Sequence, residues 1–216
     1  KTTTVRLLEA MARQAGKVAG YCCTEGIAID GHIEAEGDYS GPAGARQVLR
    51  DRRVEIAVLE TARGGILRRG LAVRHAEVAV ITNVSADHFG EYGIDSLDDL
   101  ARVKRVVAHA LPAQGTLVLN ADDPTLLALA DGLSCKVALF ASAFQHAALV
   151  RLRAAGGAVC GGEAGQLRLA MGGRDITLGD IAEMPLTLNG TARHNIANIA
   201  AASLAAAALG LDTTAI

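Results

Sequence analysis

The stretch Ala76-Glu77-Val78-Ala79-Val80-Ile81-Thr82-Asn83-Val84 is the most informative part of this chain for its fold class. Its apolar run predicts a strand that is buried on both faces, as in a parallel sheet covered by helices. The run ends in a polar residue, Asn83. A second buried run, Glu55–Glu60, comes earlier and ends in a carboxylate. Two such strands predict an α/β domain.

Further strands and helices alternate on either side of these runs. Strands are predicted at Lys17–Tyr21, Ile27–Ile33, Leu117–Asn120 and Val137–Phe140, and helices at 5–16, at Ala43–Asp51, from Ser96, from Pro124 and at His194–Leu209. Ser96 and Asp99 form a capping box at the start of one helix. Gly64-Gly65 predicts a flexible loop. The alternation predicts a doubly wound, mostly parallel sheet with helices on both faces.

Residues 146–190 differ in pattern from the rest of the chain. Their apolar residues alternate with period two, and glycine pairs interrupt the alternation, at Gly156-Gly157, Gly161-Gly162 and Gly172-Gly173. This pattern is typical of antiparallel hairpins. We therefore expect a small antiparallel β-hairpin insert in the α/β domain.

Composition excludes several functional classes. Of the 216 residues 50% are hydrophobic, enough for the core of one domain, and the net charge is −2 without any basic block. Nucleic-acid binding therefore has no electrostatic support. The apolar stretch Ile199–Leu209 is too short to span a bilayer, which needs about 20 residues, so no membrane partner is expected. Four cysteines without CxxC or zinc-ligand spacing favour reduced thiols in a cytoplasmic protein.

Polar residues follow several of the predicted strands. They are Glu60, Asn83, His88, Asn120 and Asp122. In doubly wound sheets, ligands bind beyond the carboxyl ends of the strands. The sequence therefore predicts a functional site where these side chains meet.

The chain opens with Lys1-Thr2-Thr3-Thr4, directly before a helix. A Lys-Thr pair at a helix start is the end of the phosphate-loop pattern GxxxxGK[ST], in which the lysine contacts phosphates and the hydroxyl binds Mg²⁺. The glycines of that pattern are not in the sequence, so a solvated lysine is the alternative. A start without methionine that enters a helix at once favours an internal piece of a longer protein.

Lys104 shares a helical stripe with Leu97, Leu100, Val107 and Leu111. This stripe predicts the inward face of the helix. A buried amine is costly unless it is paired or chemically modified. The alternative is a lysine that extends from the flank of the helix to solvent.

Other candidates are ambiguous when each is taken alone. Glu60 is either a solvated strand end or a Mg²⁺ ligand, since hard cations prefer oxygen ligands. His88 is a loop residue, a metal ligand or a base. Asn195 and Asn198 lie one turn apart and either contact a purine edge or cap a helix.

Taken in order, these residues resemble the central ATP-binding domain of the Mur ligase family. The matching stretches are Lys1–Thr4, Leu59–Glu60, Asn83–His88, Lys104, Leu119–Pro124 and Ala192–Asn198. The resemblance spans nearly all of residues 1–216 and implies one domain of the P-loop type. It also implies that the phosphate-loop glycines, an ATP-grasp region and a C-terminal Mur domain lie outside the chain.

The resemblance implies ADP-forming amide ligation through an acyl phosphate, with ATP and Mg²⁺. The catalytic residues that it implies are Lys1, His88 and Lys104, the last matching a family lysine that is often carbamylated. The metal ligands would be Thr2, Glu60 and His88. The nucleotide contacts would be Lys1, Thr2, Thr3, Asn120, Asp122, Asn195 and Asn198.

Several stretches are similar to a branch of the family that adds arginine to the side-chain carboxylates of a poly-aspartate chain. They are Thr24–Ile27 with Ile29–Gly31, Gly37–Pro42, Asp87–Asp95, Leu100–Lys104 and, as the most discriminating, Leu59–Arg68. The expected partners are therefore an amino acid, arginine in this branch, and a carboxylate acceptor. Cys22-Cys23 departs from the threonines expected there. The chain alone is expected to be inactive and to bind nucleotide weakly or not at all, and self-association of the full-length protein stays open.

Two alternatives remain. One is another Mur-type ligase, which acts on cell-wall precursors or resembles folylpolyglutamate synthetases. The other is a nucleotide-binding domain without catalysis.

Overall fold

Strands and helices alternate along the described residues, 1–85, 90 and 92–216, of this computed structural model. The strands are β1 (Ala19–Cys22), β2 (Gly26–Ile29), β3 (His32–Glu36), β4 (Ile56–Leu59), β5 (Val78–Ile81), β6 (Thr116–Asn120), β7 (Lys136–Ala143), β8 (Val159–Glu163), β9 (Gln166–Met171) and β10 (Arg174–Asp180). The helices are α1 (Thr2–Gln14), α2 (Pro42–Arg50), α3 (Arg63–Arg69), α4 (Leu97–Arg105), α5 (Pro124–Ala128), α6 (Ala147–Ala154) and α7 (Arg193–Ala208). Short 3₁₀ helices cover Val106–Ala110 and Thr213–Ala215.

Hydrogen bonding divides the strands into two sheets. The smaller sheet has the order β3-β2-β1-β4, and only β1 and β4 in it are parallel. The larger sheet has the order β10-β9-β8-β7-β6-β5, in which β5 to β8 are parallel and β9 and β10 are antiparallel additions. Over the described residues, no ladder joins β4 to β5.

Helices cover both faces of the sheets. On one face α1 packs on β1 and β4, and α7 packs on α1 and on β5 to β9. On the other face α2 lies against the smaller sheet, and α5 and α6 lie against the larger one. In β6, Val118 belongs to the core beneath α7, whereas Leu117 and Leu119 belong to the opposite core. Apolar contacts on both faces explain why the parallel strands are continuous apolar runs.

The predicted α/β class, with parallel strands and helices on both faces, is confirmed. The region 146–190 is arranged differently from the prediction. It begins with α6, and β8 then pairs in parallel with β7. The predicted antiparallel hairpins follow, one between β8 and β9 and one between β9 and β10. The period-two pattern begins only after Gly156 and Gly157, which follow α6. The region therefore continues the larger sheet.

Two smaller predictions are corrected. The predicted strand Ile27–Ile33 is a hairpin, because Asp30 and Gly31 take φ values of 50° and 76° and turn the chain between β2 and β3. Positive φ at both turn residues matches the right-handed twist of a two-residue hairpin. Gly64-Gly65, predicted as a flexible loop, lies in α3. No helix in the described ranges is long and apolar enough to cross a membrane.

Strands β4 and β5 face each other across a cavity of about 590 Å³. Residues of both strands line it, together with Val5 and Leu8 of α1. Lys1 and Glu60 line it near the carboxyl end of β4. We call this space the interstrand cavity.

Gly44 of α2 lies so close to the loop before the helix that we expect this position not to tolerate a side chain. A Cβ added at Gly44 would overlap the carbonyl oxygen of Tyr39 and lie 2.7 Å from the Tyr39 Cβ. We expect Gly44→Ala to lower the free energy of unfolding by about 1–3 kcal/mol, although alanine is the better helix former. Urea unfolding followed by circular dichroism measures this.

Gly64→Ala is the matched control in α3. The nearest atom to its added Cβ is at the far end of the Arg68 side chain, at 3.1 Å, and not in the backbone. Its stability should be unchanged or raised by up to about 1 kcal/mol. Equal stability of the two variants would contradict the close contact at Gly44.

Candidate active site

Glu60 is a buried carboxylate at the end of β4, only 3% exposed. Its backbone N–H extends the ladder to β1 by donating to the Cys22 carbonyl at 2.9 Å. Lys1 Nζ donates to Glu60 Oε1 at 3.0 Å, and Thr2 Oγ1 donates to Glu60 Oε2 at 2.7 Å. A buried carboxylate needs such partners because desolvation disfavours its charge. These bonds fix the start of α1 against β4.

The first turn of α1 makes two further contacts. Thr2 Oγ1 lies 2.9 Å from Thr24 Oγ1, just beyond β1. Thr4 Oγ1 donates to Asn198 Oδ1 of α7 at 3.3 Å. Thr3 is half-buried and lines neither of the two cavities. The start of α1 is thus joined to both sheet and helix neighbours.

Asn195 and Asn198 lie together at the start of α7. Asn198 Nδ2 donates to Asn195 Oδ1 at 3.4 Å, and Asn195 Nδ2 donates to the Leu186 carbonyl at 2.9 Å. Because Thr4 contacts Asn198, this amide pair is close to the first turn of α1. The structure therefore brings the pair to the helix that carries Lys1 and Thr2.

Lys104 is half-buried on α4, and its Nζ donates to the Asn83 carbonyl at 2.7 Å. Of the predicted stripe, Leu100 and Leu111 are buried at 2% and 8% exposure, but Leu97 is 40% exposed. Leu97 is the first residue of α4, and buried residues begin only at Leu100. The predicted capping box is confirmed, because Asp99 N donates to Ser96 Oγ at 3.1 Å.

A second cavity, of about 280 Å³, lies beside Lys104. Its walls come from the ends of β4 and β5, from α3 and from α4. Three basic residues line it, Lys1, Arg63 and Lys104, and none of its described lining residues is acidic. We call it the basic cavity.

Asn120 and Asp122 hold neighbouring strand ends together. Asn120 Nδ2 donates to the Thr82 carbonyl at 3.0 Å, and its Oδ1 accepts from Asp122 N at 3.0 Å. Asp122 Oδ2 accepts from Ser142 N at 2.6 Å. Neither residue lines the interstrand cavity or the basic cavity. The ends of β5, β6 and β7 are thereby linked by side chains.

The predicted metal set is only partly described. Thr2 and Glu60 are in direct contact, whereas His88 lies outside the described residues. In the part of the chain that the structure covers, no three His, Cys, Asp or Glu side chains form a group that could hold a metal ion. The Thr2 hydroxyl and the Glu60 carboxylate are the oxygen donors that Mg²⁺ prefers. This pair fits the cation chemically.

Cys22 and Cys23 are fully buried in the cores and have free thiols. Burial raises the pKa of the Cys22 thiol to about 12, so that this group stays protonated at neutral pH. Cys23 Sγ accepts from Glu25 N at 3.4 Å. Both cysteines therefore contribute to packing, and the Cys22 thiol supplies no thiolate at neutral pH.

The sequence interpretation missed Arg63, Thr61 and Thr24. Arg63 and Thr61 line the basic cavity, and Thr24 contacts Thr2. The stretch Leu59–Arg68 was a signal for the first two, since it follows a strand-end carboxylate. Its pattern did not indicate which of its basic side chains turn toward the site.

Comparison with known proteins identifies the fold's relatives. The Synechocystis sp. cyanophycin synthetase is 42% identical over 212 residues, which are 98% of this chain and 24% of that protein. The UDP-N-acetylmuramoylalanine–D-glutamate ligase of Chlorobium luteolum is 35% identical over 128 residues, 59% of this chain and 25% of that protein. The chain thus spans about a quarter of the length of the cyanophycin synthetase, and the 128 matching residues make up a quarter of the D-glutamate ligase.

Solved structures show the same fold at low identity. A UDP-N-acetylmuramoyl-L-alanyl-D-glutamate–2,6-diaminopimelate ligase superposes with a TM-score of 0.72 at 20% identity, covering 100% of this chain and 42% of its own. E. coli FolC, in complex with DHPP and ADP, superposes with a TM-score of 0.64 at 16% identity, covering 98% and 51%. The Mur ligase middle domain matches residues 1–206. The chain therefore belongs to the Mur ligase family, as a middle domain.

Proposed function

We propose that the protein containing this domain is an ATP-dependent, ADP-forming acid–amino-acid ligase. The observation that carries the proposal is the buried Glu60 carboxylate held by Lys1 and Thr2 at the start of α1, in a Mur ligase middle domain. In the proposed reaction the γ-phosphoryl group of ATP moves to an oxygen of a substrate carboxylate, and ADP leaves. An amine then attacks the acyl carbon, loses a proton and displaces phosphate to form an amide.

The proposed substrates are arginine and the side-chain carboxylates of a poly-aspartate chain. Cyanophycin synthetases from several organisms are 41–43% identical to this chain over 95–98% of its length. Cell-wall ligases match at 29–35% identity. The higher identity over nearly the whole domain supports arginine and poly-aspartate as the substrates, rather than cell-wall precursors.

Lys1, Thr2 and Glu60 are proposed to serve the phosphates and the cation. Mg²⁺ would supply charge neutralisation for the phosphoryl group, and Thr2 and Glu60 would be its ligands from the described residues. The Lys1 ammonium would bind the β- and γ-phosphates, with Thr3 beside it in the same turn. His88 stays a proposed ligand from outside the described residues.

Lys104 is proposed to act as a carbamate. Its neutral Nζ would attack CO₂, form an N–C bond and release a proton, which leaves an anionic side chain. The position supports this change, because Lys104 is half-buried on α4, its Nζ contacts the Asn83 carbonyl just after β5, and it shares the basic cavity with Lys1 and Arg63. A carbamate anion would be attracted by the positive charges of Lys1 and Arg63, which line the same cavity.

The remaining proposed nucleotide contacts have two roles. Asn195 and Asn198 each carry an amide donor and acceptor, as the edge of adenine requires, and both lie near the first turn of α1. Asn120 and Asp122 are proposed to lie beside the nucleotide. Their bonds to Thr82 and Ser142 would keep the strand ends around it in register.

Replacement of the buried carboxylate tests the ligase proposal. In the full-length protein, Glu60→Gln should lower ADP release that depends on both arginine and poly-aspartate by about 100-fold, because the charge that holds the cation and Lys1 is lost. A coupled ADP assay measures this. The control is Glu25→Gln, an exposed glutamate paired with Arg6, which should keep wild-type activity. Wild-type rates for Glu60→Gln would contradict the proposal.

The same assay also tests the proposed pair of substrates. ADP release by the wild-type protein with a cell-wall precursor, and none with arginine and poly-aspartate, would replace the proposed substrates and keep the ligase reaction.

The carbamate proposal predicts a dependence on CO₂. Removal of CO₂ should lower the ligation rate at least about tenfold, and bicarbonate should restore it, because carbamylation of an amine is reversible. ¹³C NMR in ¹³C-bicarbonate should show a carbamate signal that Lys104→Arg abolishes and Lys136→Arg, at an exposed lysine, retains. A signal that persists in Lys104→Arg would assign the carbamate elsewhere.

A further inference from the structure

The outer side of α2 carries exposed arginines. Arg46 and Arg50 are separated by uncharged residues in the sequence, but they lie one helical turn apart and therefore share one side of the helix. Leu49, beside them, is 48% exposed. Arg52 follows the helix and is exposed as well. We call these four residues the α2 patch.

The three arginines of the α2 patch are not neutralised. Among the described residues, none of them forms a hydrogen bond or an ion pair through its side chain. The acidic side chains at this end of the helix, Asp51 and Glu34, are instead bonded to Arg53, at 2.6 and 3.1 Å. A surface that carries several unpaired charges of one sign attracts ligands of the opposite sign.

The structure of α2 does not by itself require these arginines. A basic side chain in the last turn of a helix is favoured by the helix dipole, which accounts for Arg50. Arg46 is in the middle of the helix, where the dipole gives no such benefit, and it repels Arg50 one turn away. The residues that α2 buries lie on its other side and are Pro42, Gly44, Ala45 and Val48.

The α2 patch lies close to the candidate active site. Pro42, the first residue of α2, is beside Gly65 of α3, a helix that contributes to the basic cavity. Leu49 lines the interstrand cavity, as do Lys1 and Glu60 near the carboxyl end of β4. The two helical arginines follow Pro42 by four and eight residues, which is about 6 and 12 Å along the helix axis.

The spacing of the two helical arginines matches an extended acidic chain. Alternate side chains of an extended chain point to the same side, so its carboxylates recur there about every 6.6 Å. Arg46 and Arg50 are about 6 Å apart along the helix axis. Each guanidinium can bind one carboxylate through two N–H groups. Two neighbouring arginines therefore fit two carboxylates on one side of a poly-aspartate chain.

We propose that the α2 patch is a binding surface for the acidic acceptor chain outside the site of ligation, and that Arg46 and Arg50 bind carboxylates that do not react. The proposal rests on the proposed function and concerns a part of the acceptor to which that function assigns no place. The chain would lie along α2, with its reacting residue beyond the start of the helix. Free arginine gains nothing from the patch, because its guanidinium is repelled.

The length of the acceptor tests the α2 patch in the full-length protein. Arg46→Gln/Arg50→Gln should raise the KM for an oligo-aspartate of about 12 residues about tenfold and leave kcat within about twofold, because the patch does not touch the reacting atoms. The KM for an oligo-aspartate of about two residues should stay within about twofold, since reaching along about 12 Å of helix takes about four extended residues.

Two further variants serve as controls. Arg46→Lys/Arg50→Lys should give an intermediate KM for the long acceptor, because the charge stays and the paired N–H donors are lost. Arg151→Gln/Arg174→Gln removes two exposed arginines from α6 and β10, beside the larger sheet, and should match wild type. Melting temperatures within about 2 °C of wild type confirm that the variants fold.

Three kinetic results would overturn the proposal. The first is an unchanged KM for the long acceptor in Arg46→Gln/Arg50→Gln. The second is an equal rise for the long and the short acceptor. The third is a rise of the same size in Arg151→Gln/Arg174→Gln, which would show that only the net charge of the protein matters.

The outcome is separable from that of the proposed function. If the wild-type protein releases no ADP with arginine and poly-aspartate, the proposed function fails. Fluorescence anisotropy of a labelled oligo-aspartate, without ATP or arginine, then still decides the surface. Binding at least about tenfold weaker in Arg46→Gln/Arg50→Gln than in Arg151→Gln/Arg174→Gln supports it, and equal binding overturns it. Tighter binding of a single-stranded DNA of equal charge would assign the patch to nucleic acid and overturn the proposal.

Discussion

A carboxylate buried at the end of a parallel strand has to find a cation and hydrogen-bond donors inside the protein, because water no longer stabilises its charge. Glu60 finds both in the first turn of α1, from Lys1 and Thr2. The same turn reaches α7 through Thr4 and Asn198. One desolvated charge therefore brings a sheet end and two helix starts to one point. Groups that would contact phosphate, cation and base are placed relative to it.

A second level of organisation concerns the strand ends beyond that point. Asn120 and Asp122, at the end of β6, form hydrogen bonds with backbone groups at the ends of β5 and β7. The Lys104 side chain likewise donates a hydrogen bond to the Asn83 carbonyl. Polar side chains at the carboxyl edge of a parallel sheet thus satisfy backbone groups that the ladders leave over. They shape the edge of the site even where they do not line a cavity.

Local sequence patterns predicted most of the strands and helices, but they did not predict which strands pair. The apolar runs at 56–59 and 78–81 were predictable as strands because burial on both faces leaves an unbroken apolar signal. The division into two sheets was not, since partners far apart in sequence leave no local mark. Helix α6 was missed because its apolar and basic residues are mixed around the helix. The turn at Asp30-Gly31 was missed because it lies inside an apolar stretch.

The site divides in the same way. The resemblance to the Mur ligase family placed Thr2 and Glu60 in one predicted metal site, but the direct bond between Lys1 and Glu60 was not predicted. The inward position of Lys104 followed from helical spacing. Arg63 could not be assigned, because only tertiary packing decides which of several basic side chains on α3 faces a cavity. The predicted role of His88 stays a prediction, because this residue lies outside the described residues.

The interstrand cavity also separates the two sheets between β4 and β5. Along the described strands, no backbone ladder crosses it, so α1 and α7 connect the sheets through packed side chains. Packed helices slide in small shear steps, which a hydrogen-bonded ladder resists. Glu60 lies on the β4 side of the interstrand cavity, and Asn83 and Lys104 lie on the β5 side. The two halves of the site therefore belong to different sheets, and packed side chains rather than a backbone ladder set the distance between them.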